Sequence, residues 1–366
     1  MKHARIDKPL TFIIFALLLG GSMIFVSAAF GVLGRGFSSI TSVAFNHLVL
    51  GVGGGMVLLL IALNINYRHW RQFAPYIFAF ALAAMLLVFV PNLGFAHGGG
   101  QRWIVIFGVS FQPSELLKIA SIFIAAAYYS AIRSKAETFT WGVGGLAAIL
   151  IAPIVLLVMQ PDIGTLGIIC MSVVAVFFAA GARMRDVAIL LCVALISLAV
   201  LAYMKPHVQE RIVTFFNPAQ NQQAEGYQIA QSLIAIGSGQ VFGRGLGQGV
   251  QKFTYLPEAM GDSIFAVAGE ELGFIGSTII VLLFLALALR GYVVAARTSD
   301  MFGGLLAVGI STYLAGEAFI NIAAMLGLAP LTGVPLTFVS QGGSAMLISL
   351  LSAGILLNIS RHKGVK

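Results

Sequence analysis

Ten long runs of apolar residues, separated by short polar segments, dominate the chain. A helix needs about 20 mostly apolar residues to cross the ~30 Å hydrocarbon core of a bilayer, because it rises about 1.5 Å per residue. The pattern therefore predicts an all-α polytopic membrane protein with about ten transmembrane helices. The predicted spans are residues 10–32, 46–64, 73–91, 114–131, 143–159, 163–180, 187–204, 263–289, 303–326 and 338–359.

Composition and charge support this class and add an orientation. The chain is 59% hydrophobic and only 9% charged, whereas soluble domains carry about 25% charged residues. This excludes a soluble enzyme, a disordered protein and a nucleic-acid-binding domain. Most of the 21 Lys and Arg residues lie in segments on the side of the N-terminus, so the positive-inside rule places both termini in the cytoplasm. We predict a single membrane domain, 1–366, with one large extracytoplasmic loop, 205–262, between helices 7 and 8.

The large outer loop contains two unusual segments. Residues 227–236 form an amphipathic pattern, which predicts a short helix that lies in the membrane interface or, equally well, serves as a buried connector. Six glycines then occur between residues 237 and 249. Their backbone N–H groups, beside Arg244 and Lys252, could hold a phosphate, although a flexible turn explains the glycines equally well.

Asp262 stands at the end of this loop, at the start of the eighth predicted helix. Ala266, Gly269 and Gly273 fall on the same helical face. Such a stripe of small residues allows close approach of another helix or leaves a slot for a lipid tail. The carboxylate above the stripe is the first candidate for chemistry, and the alternative is that it caps the helix.

Other polar residues cluster at predicted outer helix ends. Arg102 precedes the fourth helix, and Lys118 lies one turn inside it, where a cation is costly unless it is paired or meets an anion. Glu115 is three residues before Lys118, so a purely structural ion pair is an equally good interpretation. Cysteines and histidines show no metal-binding spacing. Further candidates at helix ends are Asp162, which could also cap the sixth helix, Glu258, Ser340 and Gln341.

These motifs, in this order on a ten-span chain, resemble the SEDS family (shape, elongation, division and sporulation), which includes FtsW and RodA. The residues after Gly226 are more similar to the division-type members. The chain departs from the family pattern at Met260 and Gly261, where His-Thr is usual, and at Gln341, where Tyr is usual. The resemblance rests on residues 101–103, 111–118, 160–165, 226–249, 252–273 and 330–344.

The resemblance implies a peptidoglycan glycosyltransferase of the bacterial cytoplasmic membrane that polymerises lipid II at the outer face during cell division. Asp262 matches the family's catalytic carboxylate and would act as the general base in a single inverting displacement. Arg102, Lys118, Arg244 and Lys252 are the candidate partners of the lipid pyrophosphate. The candidate substrate-binding set also includes Glu115, Asp162, Glu258, Ser340 and Gln341.

The resemblance also implies partners and one alternative function. The expected partners are lipid II, the nascent glycan strand, a class B penicillin-binding protein with transpeptidase activity, and divisome proteins; no nucleic acid is expected. The sequence identifies no cofactor with certainty. It leaves open whether a divalent cation (Mg or Mn) helps the Arg and Lys side chains to stabilise the departing pyrophosphate. The alternative function is a lipid II flippase, for which inverted repeats and broken helices at the bilayer midplane would be expected.

Overall fold

The computed structural model describes residues 6–31, 44–91, 93–97, 100–106, 109–217 and 225–362. Part of the predicted outer loop and both chain ends lie outside these ranges. The helices are α1 (Lys8–Ala29), α2 (Phe45–Asn64, of which Phe45–Gly53 is a π-helix), α3 (Arg68–Leu87), α4 (Pro113–Ile132), α5 (Phe139–Met159), α6 (Ile163–Ala179), α7 (Met184–Met204), α8 (Pro206–Phe216), α9 (Glu225–Ser238), α10 (Gln251–Thr254), α11 (Ile264–Arg297), α12 (Met301–Met325) and α13 (Gly343–Arg361).

The ten predicted spans all coincide with apolar helices. Among the described residues, nine helices are long and apolar enough to cross a membrane, and α6 is a shorter apolar helix of 17 residues. The helices α4, α12 and α13 are the most buried and form the centre of the bundle. Of α7, by contrast, only Asp186 is buried, so its apolar side chains face outward, as expected for a lipid-facing helix.

The start of α1 and the end of α13 lie at the same end of the bundle, as an even number of spans requires. Asp7 caps the start of α1 by accepting a hydrogen bond from the Leu10 N–H, 3.1 Å away. Its own backbone N–H donates to Ser360 Oγ near the end of α13, at 3.2 Å. The carboxylate of Asp7 also forms a bidentate ion pair with Arg290, with N–O distances of 2.8 and 2.9 Å. The cytoplasmic location of this end remains a prediction from the charge pattern.

A small β-sheet between α3 and α4 is a departure from the all-α expectation. Three antiparallel strands, β1 (Gly94–His97), β2 (Gly100–Ile106) and β3 (Val109–Phe111), pair in the order β1-β2-β3. In this register Ile104 of β2 lies opposite Gly94 on one side and Phe111 on the other. The segment is too short to span the membrane, and its β-branched residues suit a pleated surface. The sheet connects α3 to the start of α4.

The helix α11 is broken at Gly273, where the backbone adopts φ 66° and ψ −165°. This left-handed conformation favours glycine, and a Cβ at this position would collide with the backbone of Gly243. The helical projection below Asp262 therefore ends at residue 272. Gly269 packs against Ile236 of α9, so the stripe of small residues allows a close approach between helices and is not a slot for a lipid tail.

The helix predicted over 227–236 is α9, and it acts as a packed connector. Ile229, Ser232 and Ala235 are buried, and α9 packs against α11. Ser232, which belongs to the predicted polar face, is fully buried and contacts the sulfur of Met325 at 3.4 Å. The exposed side of the helix carries Leu233 and Ile234. The polar face of α9 thus packs against protein, whereas the polar face of a helix in the membrane interface would face water.

Candidate functional site

Asp262 lies in a small cleft at the end of the bundle opposite the chain ends. The cleft has a volume of about 60 Å³ and is formed by α8, α9, the end of α12 and the segment 331–334. One carboxylate oxygen of Asp262 lies beside Gly333. The φ of +69° at this position favours glycine, so no side chain lies between the carboxylate and this backbone. Polar side chains that line the same cleft are Arg211, Glu225, Gln228 and Asn321.

Asp262 is not the cap of α11. The N-cap residue is Ser263, and it makes no capping hydrogen bond. Among the described residues, no hydrogen-bond donor is bound to the Asp262 carboxylate, which is half-buried. The capping alternative is therefore wrong, and the carboxylate is free to face the cleft.

Three hydrogen bonds fix the backbone on which Asp262 is carried. The amide Nδ2 of Asn321 donates to the carbonyl oxygen of Asp262 at 2.8 Å and to that of Val334 at 2.8 Å. Ser340 Oγ donates to the Gly261 carbonyl at 2.7 Å, and the backbone N–H of Gln341 donates to the Met260 carbonyl at 2.7 Å. Ends of α12 and α13 thereby hold the turn that presents the carboxylate.

The electrostatic environment makes Asp262 a weaker acid than usual. Burial raises the pKa of Asp262 to about 6, and the negative charge of Glu258 contributes in the same direction. Arg211 and Arg102 oppose this rise in pKa because a nearby cation stabilises the carboxylate. Such a group is a good proton acceptor near neutral pH, because a general base works best when its pKa is close to the working pH.

Arg211 is a site residue that the sequence analysis did not single out. Its Nε lies 3.0 Å from Glu225 Oε1, and both side chains are about a quarter exposed. Burial raises the pKa of Glu225, while Arg211 opposes that rise. Gln228 completes this side of the cleft by donating to Ser263 Oγ at 2.9 Å. A cation at the start of the outer loop was the only available signal, and it did not distinguish Arg211 from its neighbours.

Arg102 and Asp162 lie near this cleft but are tied to the chain. Arg102 donates from Nη2 to the carbonyl of Pro161 at 2.5 Å and from Nε to that of Gln160 at 3.3 Å. Asp162 is buried and caps α6, accepting from the Thr165 N–H at 3.3 Å. The capping interpretation of Asp162 matches this geometry. Arg102 remains half-buried, so part of its guanidinium is accessible from outside.

Lys118 is sequestered in the core. Its Nζ lies 2.9 Å from Glu115 Oε2 and 2.6 Å from Glu317 Oε1, and all three side chains are at most 2% exposed. The ring of Tyr313 lies 5.0 Å from the same ammonium. The structural ion-pair interpretation of Glu115 and Lys118 therefore matches the geometry. Both residues are buried in this conformation, and their inclusion in the substrate-binding set stays a prediction.

The glycine-rich segment binds carboxylates of its own chain. Glu271 accepts from the N–H groups of Gly247 and Gly249, at 3.0 and 3.3 Å. Glu270 accepts from the next two N–H groups, at 2.9 and 3.1 Å. Both carboxylates project from the short part of α11 before its break. The segment is therefore an anion-binding backbone, as predicted, but these amides are already occupied by glutamates.

The two cations of this segment also have partners. Lys252 Nζ is fully buried, 2.6 Å from Glu271 Oε1 and 2.8 Å from Ser27 Oγ of α1. Arg244 is more exposed, with its Nε 3.7 Å from Glu270. Lys252 is thus buried in an ion pair in this conformation, and its role as a pyrophosphate ligand stays a prediction. Arg244 keeps an exposed side of its guanidinium.

The remaining predicted site residues lie at or beneath the turn that carries Asp262. Asp262 and Glu258 are together at the turn, with Ser340 and Gln341 beneath it. Glu258 is exposed and adopts a positive φ of 48°. Ser340 is buried and acts on the backbone, whereas the Gln341 side chain is exposed. Within the described ranges, no three His, Cys, Asp or Glu side chains lie together as a metal site.

Comparison with known proteins identifies the family. The family model described as cell cycle protein, FtsW/RodA/SpoVE, matches residues 8–364. The probable peptidoglycan glycosyltransferase FtsW of Geobacter sulfurreducens is 41% identical over 87% of this chain and 84% of its own length. The stage V sporulation protein E of Bacillus subtilis is 37% identical over 86% of both chains.

Solved structures share the fold. A chain of a peptidoglycan synthase complex that coordinates polymerization and crosslinking matches with a TM-score of 0.79 and 23% identity, covering 97% of this chain and 98% of its own. The rod shape determining protein RodA of Thermus thermophilus matches with a TM-score of 0.72 and 24% identity, covering 99% and 98%. The ten apolar helices within the described residues and the bacterial relatives indicate a multi-pass protein of the bacterial cytoplasmic membrane. The chain belongs to the FtsW/RodA/SpoVE family of cell cycle proteins.

Proposed function

We propose that this protein is a peptidoglycan glycosyltransferase that polymerises lipid II at the outer face of the cytoplasmic membrane, with Asp262 as the general base. The observation that carries the proposal is a half-buried carboxylate of raised pKa, held by its backbone and free to face a cleft beside Arg211. The names of the relatives at 36–41% identity point to the same activity. Their division and sporulation roles support a role in building septal wall.

The proposed chemistry is a single displacement at the anomeric carbon of the donor sugar. An acceptor hydroxyl oxygen forms the new glycosidic bond while the bond from the anomeric carbon to the phosphate oxygen breaks. Asp262 takes the hydroxyl proton, and the electron pair leaves with the lipid pyrophosphate. Arg211 and the accessible parts of Arg102 and Arg244 are the cations available to the departing anion, because Arg forks suit phosphate oxygens.

The proposed partner is a class B penicillin-binding protein. The support is the fold shared with a chain from a complex that coordinates polymerization and crosslinking. A transpeptidase bound to this chain would receive each glycan strand as it forms. Divisome proteins are proposed as further partners on the basis of the FtsW relatives alone.

The flippase alternative has one supporting observation, the break in α11, since broken helices are common in transporters. The break, however, is filled by the backbone of Gly243 and by the loop bound to Glu270 and Glu271. It thus offers no open ligand site. The cleft beside Asp262 lies at one end of the bundle, which favours chemistry at the outer surface.

The decisive experiment uses the purified full chain with labelled lipid II, with and without its cognate transpeptidase, and separates glycan strands on a gel. Asp262→Asn should lose polymerisation by about 10²–10⁴-fold, the usual contribution of a positioned general base. Lipid II binding and thermal unfolding should stay close to wild type. The comparison variant is Glu258→Gln, which removes the neighbouring exposed carboxylate whose charge helps to raise the pKa of Asp262. It should keep most of the activity at neutral pH and move the acid limb of the rate to lower pH. Polymerisation by Asp262→Asn at a near wild-type rate would overturn the assignment.

A further inference from the structure

A second cavity lies at the end of the bundle away from Asp262. It has a volume of about 510 Å³. Asp300, the N-cap of α12, lines it, whereas Asn321 near the other end of α12 contacts Asp262. The cavity is therefore about 30 Å from the candidate site, at 1.5 Å per helical residue. The charged residues that line it are Arg71, Arg133, Glu137 and Asp300.

The cavity is built from helix ends at the predicted cytoplasmic face. Arg71 belongs to the first turn of α3, Arg133 follows the end of α4, and Ala180 follows the end of α6. Residues at such helix ends lie at the depth of the lipid headgroups, because the spans themselves fill the hydrocarbon core. The positive-inside pattern assigns this face to the cytoplasmic leaflet.

The charges that line the cavity are not paired with each other. Among the described residues, neither Arg71 nor Arg133 has a carboxylate within 4.0 Å, although Glu137 and Asp300 line the same cavity. Elsewhere in the chain the partly exposed cation Arg290 does form a bidentate pair with Asp7. Two guanidinium groups and two carboxylates thus line one cavity without forming an ion pair with one another.

We propose that this cavity binds the headgroup of a cytoplasmic-leaflet phospholipid that carries a hydrogen-bond donor beyond its phosphodiester. The phosphate oxygens bind Arg71 and Arg133, because guanidinium forks match phosphate geometry. The donor groups of phosphoglycerol or phosphoethanolamine bind Glu137 and Asp300. Basic pockets between spans on the cytoplasmic side are a known setting for phospholipid headgroups. Met301 and Ala180 supply apolar surface within the cavity.

This arrangement predicts selectivity by headgroup. Phosphatidylglycerol and phosphatidylethanolamine carry O–H or N–H donors that a carboxylate can accept. Phosphatidylcholine has the same phosphodiester, but its quaternary ammonium has no N–H to donate. It should therefore bind more weakly, by about threefold to fivefold, because its headgroup cannot donate a hydrogen bond to these solvent-accessible carboxylates. The proposal does not depend on the enzymatic activity.

The test uses the full chain, purified in detergent and freed of native lipid, with lipid binding measured by native mass spectrometry and thermal unfolding. Phosphatidylglycerol, phosphatidylethanolamine, phosphatidylcholine and inorganic phosphate are titrated separately. The double variant Arg71→Gln/Arg133→Gln should weaken binding of the first two lipids by about tenfold or more. The control Arg297→Gln removes an exposed cation that does not line the cavity, and it should change binding less than twofold.

A third variant tests the carboxylate side of the cavity. Glu137→Gln should narrow the difference between phosphatidylethanolamine and phosphatidylcholine while leaving the fold unchanged, because Glu137 is exposed. Equal binding of all three lipids by the wild type would overturn the proposal. Binding of inorganic phosphate as strong as that of phosphatidylglycerol would also overturn it, in favour of a free anion. Unchanged lipid binding by the double arginine variant would show that the lipids bind elsewhere.

Discussion

Asn321 provides the most direct test of how the fold positions the proposed base. This side chain is 2% exposed, and its single amide group donates to two carbonyls at 2.8 Å each. One of these belongs to Asp262 and the other to Val334, and both residues line the cleft. Replacing Asn321 with Ala deletes both hydrogen bonds without adding volume. We expect Asn321→Ala to fold and to lose most of its activity.

The size of the effect follows from these two hydrogen bonds. The Val334 carbonyl is buried, and a buried carbonyl left without a donor costs about 1–3 kcal/mol. The Asp262 carbonyl is partly exposed and can bind water instead, so we expect about 1–3 kcal/mol of lost stability in total. Activity should suffer more, because a displacement of about 1 Å at a catalytic group can cost about 10²-fold. Asn321→Asp should be worse than Asn321→Ala, since its oxygens would face two carbonyl oxygens.

The pH dependence of polymerisation distinguishes a displaced Asp262 from a simple loss of folded protein in the Asn321→Ala variant. Burial is the main cause of the raised pKa of Asp262. When the two hydrogen bonds from Asn321 are lost, the Asp262 carboxylate should become more hydrated, so its pKa should fall from about 6 toward the ordinary value of 3.8. The acid limb of polymerisation would then move to lower pH. A smaller folded fraction alone would reduce the rate equally at every pH.

The assay is lipid II polymerisation at a series of pH values, with thermal unfolding measured on the same samples. The matched control is Ser311→Ala, a buried polar residue on the same helix whose hydroxyl has no hydrogen-bond partner among the described residues. It should leave both the rate and the pH profile unchanged. A wild-type rate and an unmoved acid limb in Asn321→Ala would refute the positioning role.

Three further predictions concern the ionised groups. Wild-type polymerisation should fall about tenfold per pH unit below pH 6 and level off above it, because only the deprotonated form of Asp262, whose pKa is raised to about 6, accepts a proton; a rate that rises on acidification would contradict this. Lys118→Met should cost about 3–5 kcal/mol by leaving buried carboxylates unpaired, and adding Glu317→Gln should recover part of the thermal stability. Glu271→Ala should leave Lys252 buried without its partner and make the glycine-rich segment sensitive to limited proteolysis, whereas an unchanged digestion pattern would show that the segment is held by other contacts.

The spans could be predicted from sequence because they depend on a local property. Each predicted run coincides with an apolar helix, since a stretch of about 20 apolar residues has few alternatives in a bilayer. The helix ends were also readable where a local cap exists, as at Asp162. The three strands could not be predicted because they are short. Their sequences show no run of alternating apolar and polar residues that would distinguish a strand from a polar loop.

The partners of the charged residues could not be predicted, because they are distant in sequence. Lys118 meets Glu317, 199 residues away, and Lys252 reaches Ser27, 225 residues away. A sequence pattern assigns a cation near a helix end, but it does not say whether a carboxylate from another helix already neutralises it. The same limit applies to Asn321, whose importance arises from two carbonyls that the fold brings to it. The break at Gly273 is likewise a consequence of the neighbouring Gly243 backbone.

Burial and pairing together distinguish the structural charges from the proposed functional one. Lys118 and Lys252 each lie in the core with carboxylates within 2.9 Å, and such closed ionic groups are costly to open. Asp262 is also removed from water in part, yet no described residue donates a hydrogen bond to its carboxylate, and its backbone is fixed by three donors. A fold that only needed stability would gain by pairing this carboxylate with the nearby Arg211. Arg211 instead pairs with Glu225, which leaves Asp262 with an unsatisfied capacity to accept a proton at the mouth of a cleft.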